Sequence, residues 1–160
     1  MRLVQSEHLS EPYPPPLSDA YPAVVASVPV ARNALAAFAA TAGADDQLID
    51  AVRLAASEAL TNVVVHAYGG DPGWIQVTAW VAGEHLWVLV GDDGDGFRPH
   101  PNAPGLGLGL LVIVQLSDAL SIVERSSGGT ELRIRFHLGT SGDGMDEQVR
   151  RSLASATRPV

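Results

Sequence analysis

The chain has 160 residues, 46% hydrophobic and 18% charged, which suits one packed domain with short tails. Its net charge of −8 disfavours nucleic acid and anionic membranes as partners, because neutralising phosphates needs a basic surface. It has no cysteine and all ten basic residues are arginine. Disulfides, thiol catalysis and cysteine-ligated zinc are therefore excluded, as are the G-x-x-x-x-G-K-[ST] phosphate loop, the strand lysine of protein kinases and Schiff-base chemistry.

In chain order, residues 1–20 form a Pro-rich, polar segment around Glu11-Pro12-Tyr13-Pro14-Pro15-Pro16, expected to be extended or mobile. It has no continuous apolar run of the kind a signal peptide needs. The richest apolar run of the whole chain, Gly105 to Leu116, is too short to span a bilayer, so a cytoplasmic location is expected. Ala23 to Val28 reads as a short strand. Pro29 suits the first turn of a helix from Val30 to about Ala42, stopped by Gly43. Asp45 or Asp46 then caps a longer helix reaching about Tyr68, in which Leu48, Ala51, Val52, Ala55, Ala59, Val63 and Ala67 recur at helical spacing.

Gly69-Gly70 ends that helix and Asp71-Pro72-Gly73 turns the chain. Strands are expected at Trp74–Val81 and His85–Gly91 around a tight turn. A loop rich in Gly, Asp and Pro runs from Asp92 to about Pro104, and an apolar helix from about Gly107 to Leu116. The last strands are Ala119–Arg125 and Glu131–Leu138, and residues 139–160 form a polar tail. The order β-α-α-β-β-α-β-β predicts a two-layer α/β sandwich: a mixed, mostly antiparallel sheet with helices on one face.

Four segments carry candidate chemistry. In Glu58-Ala59-Leu60-Thr61-Asn62-Val63-Val64-Val65-His66-Ala67-Tyr68, Glu58, Asn62 and His66 stand at i, i+4, i+8 and form one polar stripe. On an isolated helix such a stripe faces water. Here it lies among residues that favour burial, and a half-buried Asn offers a neutral oxygen to a hard cation. The second segment, Asp92-Asp93-Gly94-Asp95-Gly96, follows a strand. It reads as a turn on composition, but a carboxylate at a strand end also accepts a hydrogen bond from the adenine amine and repels the guanine carbonyl. Gly94 and Gly96 would let the backbone pass close to a flat base, while Asp93 and Asp95 are expected to point to solvent. The third, Gly105-Leu106-Gly107-Leu108-Gly109, is a hinge or a packing stripe unless its glycines open a helix N-terminus that receives phosphate. The fourth, Gly128-Gly129-Thr130, is a hairpin turn whose threonine hydroxyl is placed to support the nucleotide end of the sheet.

Taken together and in this order, Glu-x-x-x-Asn, Asp-x-Gly-x-Gly, alternating glycines and Gly-Thr resemble the GHKL ATPase superfamily. Thr61-Asn62, His66-Ala67-Tyr68, Gly107-Leu108-Gly109-Leu110 and Leu116-Ser117-Asp118 are similar to its anti-sigma factor family of serine-protein kinases, the partner-switching regulators of bacteria. The likeness covers about residues 21–138.

It implies ATP and Mg2+ as cofactors. Asn62 would ligate the metal, and Asp92 would bind the adenine amine, with Gly94 and Gly96 shaping the pocket. Gly105, Gly107 and Gly109 would line the phosphates and Thr130 would lie near the base. Glu58 would be the general base for a substrate serine or threonine, in a reaction carried mostly by positioning and charge neutralisation. The implied partners are a sigma factor and an anti-anti-sigma antagonist, and that subgroup commonly forms homodimers. The loop between Gly96 and Gly105 departs from the family pattern in its prolines, with Pro104 where a glycine is common. Arg98 within it is read as solvated, and His66 and His100 lack the partners a metal site needs.

The alternative to a kinase is a non-catalytic, ATP-dependent binding module of the same fold. A detached histidine-kinase domain is disfavoured because no helical hairpin with a phosphoacceptor histidine is present, and a gyrase-like ATPase because its second domain is absent. Glu58 separates the first two readings, since a pure binding module has no use for a carboxylate one turn before the metal ligand.

Overall fold

The computed structural model of the protein describes residues 13–95 and 106–139. Strand β1 (Leu17–Pro22) leads to helix α1 (Ser27–Thr41) and helix α2 (Asp46–Asn62), which continues as a π-helix over Val63–Ala67. Strands β2 (Trp74–Ala82) and β3 (His85–Gly91) follow, then helix α3 (Leu106–Leu116) and strands β4 (Ala119–Glu124) and β5 (Thr130–His137).

The five strands form one sheet in the order β1-β2-β3-β5-β4. Each of its four pairings is antiparallel, so the expected mixture reduces to a wholly antiparallel sheet among the described strands. The two-layer α/β sandwich stands. Alternation along the strands decides which face is covered. Ile75, Val77 and Ala79 of β2, Leu86, Val88 and Val90 of β3, and Leu132, Ile134 and Phe136 of β5 point into the core. There they meet Ala31, Leu35 and Ala39 of α1, Val52, Ala55 and Ala59 of α2, and Ile113 of α3. Each fully buried large side chain contributes about 1.5–3 kcal/mol over its exposed state. The opposite face carries the intervening residues, among them Trp80 and Trp87, directly opposed in the register and stacked at 5.9 Å.

The apolar positions expected on α2 are the ones that pack: Val52, Ala55, Ala59, Val63 and Ala67 are buried, and Leu48 and Ala51 lie against them. Asp45 is the cap, accepting from the Leu48 N–H at 2.8 Å. Two expectations at the N-terminal end are corrected. Ala23–Val28 is not a strand. Val24 and Val25 are exposed in a turn that feeds α1, which begins at Ser27. The strand lies earlier, at Leu17–Pro22, so the sheet takes in residues 17–20, which were expected to be mobile. Among the described strands β1 lies at the edge, pairing only with β2. It needs few inward apolar residues and tolerates Pro22 at its end, so Leu-Ser-Asp-Ala-Tyr-Pro carries little strand signal. Residues 1–12 and the tail beyond 139 lie outside the described residues.

The third correction concerns the helix read through to Tyr68. It changes to π geometry after Asn62, where the three consecutive β-branched valines begin. One wider turn of this kind is commonly found at functional sites.

Candidate functional site

The site is built where β3 ends, where the π-helix ends and where the β4–β5 hairpin turns. β3 delivers Asp92 into a buried position, 4% exposed. Its backbone N–H donates to the Thr130 carbonyl at 2.9 Å, and its Oδ1 accepts from the Gly94 N–H at 2.9 Å. Burial raises the Asp92 carboxyl above the ordinary aspartate range, and the neighbouring Asp93 charge adds to that. The backbones of Gly94 and Thr130 and the Arg125 charge oppose the rise. A carboxylate can accept more bonds than these backbone groups give it. Beside it, the Thr130 Oγ1 is buried without a hydrogen-bond partner among the described residues. Buried polar atoms are rarely left so, and an unpaired hydroxyl on the residue whose backbone pairs with Asp92 fits the polar edge of a base.

The glycines of this region are close-approach positions. A Cβ on Gly94 would fall on the Ala67 carbonyl at the end of the π-helix, and one on Gly129 would fall on the Asp92 carbonyl. Gly129 also has a φ of +85°, in the region that disfavours other residues. Gly129→Ala is accordingly expected to lower the unfolding free energy by roughly 1–3 kcal/mol, the cost of overpacking, measured by chemical denaturation without nucleotide.

On the helical side, Glu58 and Asn62 are half-buried, whereas His66 is exposed. The Glu58 carboxylate lies against Gly109, so close that a Cβ there would stand 2.6 Å from its Oε2. The first turns of α3, where N–H groups lack helical acceptors, are thus brought beside the α2 carboxylate. A Cβ on Gly107 would meet no described atom within 4 Å. Glu58, Asn62, Asp92, Gly94, Gly107, Gly109 and Thr130 are therefore placed around the adjoining ends of α2, α3, β3 and β5. Gly96 and Gly105 lie outside the described residues, as do Arg98, His100 and Pro104 of the loop between them. Among the described residues no cluster of three His, Asp or Glu side chains suits a metal, and no helix is long and apolar enough to cross a membrane.

Sequence reading missed four members of the site. Asp93 does not simply point to solvent: its Oδ1 pairs with Arg125 at 3.0 Å and its Oδ2 accepts from Gln76 Nε2 at 3.0 Å. Its N–H donates to the Tyr68 hydroxyl at 3.0 Å, and that hydroxyl donates to the Trp74 carbonyl at 2.6 Å. Tyr68 had been noted as part of a motif, but nothing in the spacing of Gln76 and Arg125 pointed to Asp93. Asp95 is exposed, and its N–H donates to the Ala67 carbonyl at 3.0 Å.

A two-layer sandwich with this site at its helix and strand ends is a nucleotide-binding architecture, and residues 21–136 match the histidine kinase-like ATPase domain family. An anti-sigma F factor of Thermoanaerobacter sp. (strain X514) is 28% identical over 69% of this chain and 85% of its own length. The serine-protein kinase RsbW of Bacillus cereus (strain AH187) is 30% identical over 72% of this chain and 81% of its own. The RsbU and RsbW domains of a Mycobacterium tuberculosis protein superpose with a TM-score of 0.63 at 28% identity. That match covers 78% of this chain but 33% of the longer one. The chain belongs to the histidine kinase-like ATPase family, in the branch that holds anti-sigma factors and serine-protein kinases.

Proposed function

We propose that the protein is a magnesium-ATP-dependent kinase of a partner switch, which phosphorylates a serine or threonine of an antagonist protein and sequesters a sigma factor. The names of its relatives support a sigma factor as one partner and a protein serine as the phosphate acceptor. The observation that carries the kinase half is the Glu58 carboxylate seated against Gly109 of α3, one helical turn before Asn62. A bound nucleotide with its metal would supply the transferable phosphoryl group and the charge neutralisation that transfer needs. Asp92 would accept from the base amine, with the Gly94 backbone passing beneath and Thr130 adjoining. Gly107 and Gly109, in the first turns of α3, would leave backbone N–H groups open to phosphate oxygens. Asn62 would offer its side-chain oxygen to the metal. Glu58 would hold the hydroxyl of the incoming side chain and take its proton.

The reading is tested by incubating the protein with labelled ATP and its cognate antagonist. Stoichiometric transfer to a Ser or Thr is expected. Nucleotide binding without any transfer would leave only a binding module. The role of Asn62 is tested separately. Asn62→Ala should weaken magnesium-ATP binding well beyond metal-free binding, because one of six octahedral ligands is lost. Equal losses with and without magnesium in titration calorimetry would reassign this residue.

A further inference from the structure

The segment that carries Asp92 is held from two sides by groups of other elements. From the β4–β5 hairpin, Arg125 directs a single guanidinium nitrogen, NH1, to the Asp92 carbonyl at 3.2 Å and to Asp93 Oδ1 at 3.0 Å. Gln76 fixes the other Asp93 oxygen. From the end of the π-helix, the Tyr68 hydroxyl takes the Asp93 N–H and is itself anchored on the Trp74 carbonyl. The Tyr68 ring lies where a Cβ on Gly73 would fall, so the residue that closes the following turn has to be small. The Ala67 carbonyl takes the Asp95 N–H. The two backbone units after β3 therefore have partners from separate elements, one leading back to α2 and the other to β5.

We infer that Tyr68 and Arg125 are positioning residues for nucleotide-base recognition, fixing the backbone of Asp92 and Asp93 so that the Asp92 carboxylate is preset for its ligand. The inference deepens the proposed nucleotide reading and rests on it. A carboxylate that must be ordered on binding loses affinity to that ordering, and one already ordered does not. The effect belongs to the base and not to the phosphates, so it is independent of magnesium. It also acts only through Asp92. Because one nitrogen of Arg125 serves both acceptors, a lysine ammonium, a point donor, is able to replace it in part.

The experiment measures ADP binding without magnesium by titration calorimetry for wild type, Arg125→Ala, Arg125→Lys, Tyr68→Phe, Asp92→Ala and the double variant Arg125→Ala/Asp92→Ala. Thermal unfolding without nucleotide checks that each is folded. Arg125→Ala and Tyr68→Phe should each weaken ADP by about 3–10-fold, the range of a single hydrogen bond's net worth. Arg125→Lys should recover most of the loss, and Arg125→Ala should add little once Asp92 is gone. Tyr68→Phe retains the ring under Gly73 and tests the same clamp where Arg125→Ala fails to fold. Wild-type affinity in Arg125→Ala and Tyr68→Phe, with Asp92→Ala weakened, would overturn the inference and leave the base reading intact. A full, independent loss from Arg125→Ala in the Asp92→Ala background would also overturn it, showing a general structural role. Unchanged binding in Asp92→Ala would remove the base reading itself, and the inference with it.

Discussion

Glu58→Gln should bind magnesium-ATP like the wild type and yet transfer phosphate to an antagonist roughly 10²–10⁴-fold more slowly, the factor attributed to a positioned general base. The two side chains have nearly the same shape and helix propensity, and the amide fits the same space beside Gly109. Only the ability to take a proton is lost. On the proposed reading Asn62, one turn further along α2, would still offer its oxygen to the metal, so the nucleotide should be retained. The measurement is a single-turnover transfer assay at saturating ATP, paired with a direct binding titration. Transfer at the wild-type rate would leave the fold and the family as they are and remove Glu58 as the base. Loss of binding together with transfer would instead give the carboxylate a part in holding the nucleotide. The same pair of measurements separates the kinase from a binding module, because only the kinase has a rate to lose.

How much of this arrangement was legible in the sequence depended on whether a residue's role was local. The α2 core positions followed from helical spacing alone, because a helix packed on a sheet must present one apolar stripe. β2 and β3, rich in β-branched and aromatic residues and bounded by turn signals, were placed within a residue of their ends. β1 was misplaced because an edge strand, paired on one side only, needs little apolar patterning, and Val24-Val25 imitated the missing signal. The π-helix was not foreseen, since valine-rich segments read as poor helix whichever way the backbone winds. At the site, Glu58, Asn62, Asp92 and the glycines could be named because each belongs to a short motif. Gln76 and Arg125 could not, since they reach Asp93 from positions 17 and 32 residues distant, and such contacts exist only once the sheet is assembled. Asp93 is exposed, as expected, but its partners Arg125 and Gln76 were not legible for the same reason.

Asp92 should decide both the affinity and the identity of the base. Removing a hydrogen bond to a charged group costs about 1.5–3 kcal/mol, so Asp92→Ala should bind ADP at least about tenfold more weakly. Asp92→Asn is the sharper change. Its amide offers one acceptor and one donor, and the donor suits the guanine carbonyl that a carboxylate repels. The preference for adenine over guanine nucleotides should therefore narrow in this variant through both a loss of ADP affinity and a gain of GDP affinity.

The stability of the free protein and its affinity for ADP depend on pH with opposite signs. In the free protein, burial raises the Asp92 pKa, so the folded state holds a proton that the unfolded chain has released. Over the window from the ordinary aspartate value up to the raised one, this group's contribution to stability falls as pH rises. Binding the adenine amine favours the ionised carboxylate. ADP affinity should thus fall as pH drops through that same window, starting above the range of an ordinary aspartate. Asp92→Asn faces the same adenine and the same phosphates, so subtracting its pH profile isolates the carboxylate. Calorimetric titrations of ADP and GDP across this range, for wild type and both variants, carry the test. An ADP affinity unchanged in Asp92→Ala, or an acid profile identical in wild type and Asp92→Asn, would take the base away from Asp92.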